Sequence, residues 1–392
     1  MLIVHVGTQK TGTKSLQRHL SFNSDALLGQ GIRYLLAGRE KCGRAGRYGS
    51  HHNELARAIQ GRADIAMWNR VRDELAQSDS RVDLISGEGF WFSDPAVLRQ
   101  QLPGVKDIRI VVYLRRQDRY LQSLYMQGVG GGGRKESFAA WREKVPDRGK
   151  YLAAIDKWSD AFGSESIVIR PYDRNGVVDT IEDFNKLIGA EGLTRYDGHG
   201  NPSPRVELLH FIRAFNQLGH RVDERELFLA LVGKDAAYAR SCHLLTYEES
   251  LALLENYMEE NRILIEKYYR DESVPLFPDL VAFEPPDRWE LESEAYFKLT
   301  MDVLDVLIAF AADGGISQSR VEASANGNLS AADGNANGNS DARKPRRVER
   351  LKLRASRRPG ARRREHEPTT ASQESGAANP FSEADPRALT QE

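Results

Sequence analysis

The stretch VHVGTQKTGTKSLQ, residues 4–17, narrows the possible folds more than any other part of the chain. A short apolar run, LIVHV, meets a glycine-containing loop, and Leu16, Leu20 and Leu27 follow at helical or near-helical steps. Strand, glycine loop, helix is how a parallel α/β sheet begins. Backbone N–H groups at such a helix start form an anion site by geometry and dipole, and glycine lets the anion come close. Gly12 permits the tight turn, Thr11, Thr13 and Ser15 add hydroxyl donors, and Lys10 and Lys14 add charge. Gly7 and Gly12 have the spacing of a Walker loop, G-x-x-x-x-G-K-[ST], but Thr13 stands at the lysine position and Lys14-Ser15 come one residue late.

Three further apolar runs follow the same plan. VDLIS at 82–86 ends in Gly87-Glu88-Gly89, IRIVVYL at 108–114 ends in Arg115-Arg116, and SIVIRPY at 166–172 follows an aromatic-rich helical segment. Near-continuous apolar strands separated by helical segments predict a sheet covered on both faces. From about residue 204 the pattern turns helical in VELLHFIRAFNQLG, YEESLALLENYMEENRILIEKYY and EAYFKLTMDVLDVLIAFAA, segments placed to close over the sheet's C-terminal edge. The expected fold is α/β: a P-loop-like central parallel sheet flanked by helices, with a helical C-terminal part and a disordered basic tail.

Composition divides the chain at its end. Residues 1–312 read as one domain and residues 313–342 as a flexible Gly/Asn/Ser linker. Residues 343–392 hold 13 Lys/Arg against 7 Asp/Glu, a net of +6, whereas residues 1–342 hold 42 against 49. The folded part is mildly acidic and does not read as a nucleic-acid binder. The tail reads as a solvated disordered segment or as an electrostatic tether to an anionic membrane or polyanion. Cys42 and Cys242 have no metal-ligand spacing and suit a reducing compartment. With no signal-peptide pattern and no apolar run of ~18–20 residues, the expected location is the cytoplasm, with the tail as a route to the inner membrane face.

A Walker site also needs an acidic residue at a neighbouring strand end to hold its metal. The strand ends here offer Glu88 and then Arg115-Arg116, and a basic strand end calls for a second anion rather than a metal.

On these residues the chain resembles the sulfotransferases that use 3′-phosphoadenosine 5′-phosphosulfate (PAPS), in particular the bacterial, carbohydrate-type members. QKTGTKSLQ is similar to their 5′-phosphosulfate loop, usually P-K-[ST]-G-T-T-x-L. VVYLRRQDRYLQS supplies Arg115 and Ser123 eight residues apart, the spacing with which the family grips the donor's 3′-phosphate. GIRYL, FGSESIVIRPYDR with DFNKLIG, NPSPRVELLHFIRAFN and ENRILIEKYY…PLFPD extend the similarity over roughly residues 1–312. Gln9 and Lys14 depart from the usual proline and threonine.

The resemblance implies sulfuryl transfer to a hydroxyl or amine of a glycan, glycolipid or small-molecule acceptor, without a divalent metal. It places Lys10 at the leaving phosphate, with Thr11, Gly12, Thr13, Lys14, Ser15, Arg115 and Ser123 holding the donor. Such a transfer needs a base for the acceptor proton. Glu88 is the first candidate, between glycines that leave room for an acceptor, and the His51-His52 pair is the competitor. His5, inside the first strand, reads as a packed core histidine. Arg116 and Arg119 flank the 3′-phosphate signature, and Gly128–Gly133 reads as a mobile loop over the acceptor. Asn201, Ser203 and Arg205 are candidates to close over the nucleotide. The alternatives are a P-loop kinase or NTPase using ATP-Mg²⁺, and a non-catalytic protein that keeps the nucleotide fold.

Overall fold

The structure is a computed structural model. It describes residues 1–39, 41–42, 47–131, 133–172, 179–196, 206–218, 220–221, 230–231, 234, 244–271, 273–280, 293–312 and 317–318. Two units divide the chain, Met1–Ala332 and Asp333–Glu392. The second unit, most of the expected linker and the whole basic tail lie outside the described residues, as do Asn201, Ser203 and Arg205.

The core of the first unit is a five-stranded parallel sheet. Its strands are β1 (Leu2–Val6), β2 (Ile32–Tyr34), β3 (Val82–Gly87), β4 (Ile108–Arg115) and β5 (Ile167–Tyr172), in the order β2-β3-β1-β4-β5. Four of them coincide with the apolar runs. The short β2 was not distinguishable in the sequence, because three residues are too few to display a period.

Alternation along the strands builds two cores. Leu2, Val4 and Val6 of β1 join Ile108, Ile110, Val112 and Leu114 of β4 on one face, with Trp68, Tyr120, Trp141 and Trp158 packed over them. Ile3, Leu84, Val111 and Tyr113 face the other way, against Leu16 and Leu20 of α1 (Thr13–Phe22) and Phe184 and Ile188 of a later helix (Thr180–Ile188). Burial on both faces accounts for runs that are nearly continuous in apolar residues.

In a parallel sheet every strand ends on the same edge, where open α/β folds bind ligands. Pairing sets that edge closely: His5 lies opposite Ser86 and Val6 opposite Gly87, and the Gly7 amide donates to the Gly87 carbonyl at 3.2 Å. The loop after β1 and Glu88 after β3 are therefore immediate neighbours.

The glycine run after the Arg115 region corrects one expectation. The helix α3 (Gln117–Gly130) continues through Gly128, Val129 and Gly130 instead of ending in a loop. Val129 is fully buried, and the Arg134 side chain takes the space at Gly128, where a Cβ would lie 2.4 Å from its Nε. That guanidinium sits 4.9 Å over the Trp141 ring. Packing thus overrides the low helix propensity of glycine.

Candidate active site

The loop between β1 and α1 is held from within. Thr8 Oγ1 donates to the Tyr113 carbonyl at 2.6 Å, tying the loop to β4. The Thr8 carbonyl accepts from Thr11 Oγ1 at 2.8 Å and from Thr13 Oγ1 at 3.2 Å. Both threonines are 1% exposed, so their hydroxyls had to find partners inside the protein. These hydroxyls, expected at the anion from the sequence, are committed to Thr8 instead. What Thr11 and Thr13 can still present is backbone, whereas Ser15 and Lys14 are exposed at the helix start.

The backbone is shaped for an anion. Lys10 (φ 65°) and Gly12 (φ 73°) are left-handed on either side of Thr11, and Lys10 is the one non-glycine with positive φ among the described residues. Alternating handedness of this kind turns successive N–H groups into one concavity. Gly12 caps α1 with no side chain to satisfy the first turn, which leaves the dipole's positive end uncovered. A Cβ on Gly12 would stand 3.0 Å from the Tyr172 ring, and one on Gly7 would stand 2.6 Å from Thr13 Cγ2. Both positions therefore have no room for a side chain.

Arg115 ends β4 half-buried. Its Nη1 donates to the Lys10 carbonyl at 3.2 Å, and its guanidinium lies 5.5 Å over the Tyr172 ring. Tyr172 thus touches both the cap glycine and the arginine, a role with no motif to announce it in the sequence. Ser123 lies in α3 at 8% exposure, and no contact between it and the loop is among those described. Arg116 belongs to the scaffold: it chelates Asp118 and donates to the carbonyls of Pro278 and Asp279 at 2.7 and 3.0 Å. Arg119 has Asp118 3.7 Å away.

Glu88 is half-buried at the start of a 3₁₀ helix, Glu88–Phe92. Burial pushes its carboxyl up from the ordinary value, against the opposing pull of Lys14 and Lys10. The flanking glycines do not leave room for a ligand. A Cβ on Gly87 would meet Asn53 Oδ1 and Phe90, and one on Gly89 would lie 2.8 Å from Ala56. They allow the Glu88 turn to press against the helix α2 (Asn53–Ile59), where Asn53 Oδ1 accepts from the Gly89 amide at 3.1 Å.

The histidines separate into two kinds. His52 is fully buried; its Nδ1 accepts from the Ser86 amide at 3.1 Å and its Nε2 donates to the Leu35 carbonyl at 2.9 Å. That fixes the neutral Nε2–H tautomer, and burial drives its pKa down to about 3, so it is a structural link between β3 and the chain after β2. His5 is buried beside Ser86 Oγ at 2.8 Å and is likewise pushed down to about 3 by burial. His51 lies at the exposed edge; partial burial lowers its pKa, with Glu54 raising it and Lys14 lowering it further. Ser86, which no motif marks, gathers His5, His52 and Gln17 of α1 (Nε2 to Oγ, 3.2 Å) two residues before Glu88. Their separation along the chain hid the cluster.

The structure therefore gathers Lys10, Thr11, Gly12, Thr13, Lys14, Arg115 and Glu88 at one edge, with His51 beside them. Among the described residues no group of three or more His, Cys, Asp or Glu is placed to hold a metal ion, and no helix is long and apolar enough to cross a membrane.

No protein-family model matches the sequence. An uncharacterized protein of Archaeoglobus fulgidus is 29% identical over 171 residues, 41% of this chain and 46% of that protein. The chain thus spans about half the length of the curated relative it matches. Among solved structures, a sulfotransferase from Alicyclobacillus acidocaldarius is similar at 20% identity and a TM-score of 0.35, covering 61% of this chain and 98% of that one.

Proposed function

We propose that this protein is a PAPS-dependent sulfotransferase, moving a sulfuryl group to a hydroxyl or amine of a glycan, glycolipid or small-molecule acceptor. The observation that carries the reading is the adjacency of a cationic, uncapped helix start and a carboxyl made more basic by burial, on neighbouring strand ends. The first suits a polyanionic donor; the second suits the acceptor's proton.

In the reaction the acceptor oxygen forms a bond to sulfur while the bond from sulfur to the bridging phosphate oxygen breaks. The acceptor proton passes to Glu88, and the electron pair leaves on the phosphate. Lys10, the loop amides and the dipole of α1 stabilise the charge that develops there. Lys14 supplies further positive potential from the first turn of α1. Arg115 and Ser123 are assigned to the 3′-phosphate, and His51 is the second candidate base. The domain limits at 312 and 342, the cytoplasmic location and the tail's attraction to an anionic membrane or polyanion belong to the same proposal.

Sulfur-labelled PAPS offered with glycosides, glycolipids and simple alcohols tests it. Label is expected in an acceptor without added divalent metal. Label that stays on the nucleotide across the panel, with ATP consumed instead, would replace the reading with a kinase or NTPase.

A further inference from the structure

The turn that carries Glu88 also carries an aromatic side chain that the donor chemistry does not use. In a 3₁₀ helix, side chains three residues apart eclipse. Trp91 therefore stands on the face of Glu88, while Phe90 points into the core and is fully buried. Trp91 is half-buried, packed against the core on one side, with its ring against Tyr151 at 6.2 Å and 75° between planes. Tyr151 in turn donates its hydroxyl to the Arg115 carbonyl at 2.7 Å and stacks on Phe277 at 6.2 Å. The indole is thus braced between the candidate base and the strand end assigned to the donor. Next to it, Phe92 is 44% exposed with the Arg148 guanidinium 5.7 Å over its ring.

We infer that Trp91 is the platform on which the acceptor rests, and that the acceptor is a sugar ring. A pyranose offers a C–H face to an aromatic plane and hydroxyls around its rim. Laid on the indole, it directs one hydroxyl to Glu88 and leaves the others to solvent and to Arg148. A phenolic acceptor has the opposite needs: its one polar atom is the reacting one, and the rest calls for an enclosed apolar slot. A half-buried indole beside an exposed phenyl ring rimmed by a guanidinium is a poor slot and a good open shelf. The role of Glu88 rests on the proposed sulfuryl transfer; the sugar shelf itself does not.

The test reads binding without requiring turnover. The chain has 5 tryptophans, and the indole N–H resonance of Trp91 is identified as the one lost in Trp91→Phe. Methyl glucoside, methyl galactoside and N-acetylglucosamine are titrated against the full chain, with 2-naphthol as the aromatic comparison. At least one sugar is expected to move the Trp91 resonance, and Trp91→Ala is expected to weaken that sugar roughly tenfold. Trp91→Phe should recover part of the loss. Both variants are expected to bind 3′,5′-bisphosphoadenosine as the parent does, which shows that they fold. A Trp91 resonance that moves with naphthol and not with sugars would overturn the sugar assignment, and one that moves with neither would overturn the platform. Loss of bisphosphoadenosine binding in the parent protein would instead remove the donor reading and leave the shelf standing.

Discussion

Arg115 Nη1 donates to the carbonyl of Lys10 across 3.2 Å, so the cation at the end of one strand holds the backbone of the loop that follows another. Any anion lodged on that loop is met by the same arginine that shapes it. Arg115→Ala removes a charge-assisted partner and releases the loop at once. A charged hydrogen bond contributes about 1.5–3 kcal/mol, so 3′,5′-bisphosphoadenosine should bind roughly 10- to 100-fold more weakly. Arg115→Lys should recover little of this, because a point charge cannot keep both contacts. Nucleotide-induced shifts in Tm measure both variants, and equal shifts in parent and Ala variant would remove Arg115 from the donor site.

Burying the Glu88 carboxyl carries a cost. Burial raises its folded pKa, so the protonated form fits the fold better and stability is lost as pH rises through that value. Glu88→Gln should therefore raise Tm at neutral pH, with the difference fading in acid. The same change should cut turnover by about 10²- to 10⁴-fold while nucleotide affinity holds. In the parent protein, the acid limb of kcat/KM should lie above the ordinary glutamate value. Near-normal turnover in Glu88→Gln would shift the base to His51.

Two of the buried histidines, His5 and His52, make the fold sensitive to acid. His5 and His52 are both held neutral, at about 3, whereas an unfolded chain protonates them near 6.5. Below that pH the unfolded state binds more protons, so stability falls with pH, by up to about 1.4 kcal/mol per pH unit for each histidine. Denaturation between pH 4.5 and 6.5 should show this slope, and His5→Phe should lower the slope by about one histidine's share. An unchanged slope would mean that His5 is not buried neutral.

Gly12 and Gly61 make a controlled pair. Both have positive φ, 73° and 69°, but a Cβ on Gly12 would meet Tyr172 and one on Gly61 would meet nothing within 4 Å. Gly61→Ala should cost about 1–2 kcal/mol of stability and leave nucleotide binding alone. Gly12→Ala should cost more and reduce nucleotide binding as well, because the loop must shift away from Tyr172. Equal effects on binding would remove the cradle.

Much of the scaffold was legible because it rests on local signals. The runs that became β1, β3, β4 and β5 are largely apolar because both faces are covered, and Gly12 marks a turn that only glycine fits. The residues that complete the site were hidden because they act across the chain. Thr8 looks like any loop threonine until Tyr113, Thr11 and Thr13 are brought to it. Ser86 and Tyr172 gain their meaning from neighbours far away in sequence. The glycine run of α3 misled in the opposite sense, since its local propensity yields to the burial of Val129 and the packing of Arg134.

In the proposed function, the loop after β1 binds a 3′-phosphorylated adenine nucleotide through Lys10, the α1 amides and Arg115. Isothermal titration of the full chain tests it most directly, with 3′,5′-bisphosphoadenosine in chelator and, separately, ATP with Mg²⁺. The expected result is saturable binding of the bisphosphate without metal, and much weaker binding of ATP-Mg²⁺. Tighter binding of ATP-Mg²⁺ would make the loop a nucleoside triphosphate site and remove the sulfuryl donor.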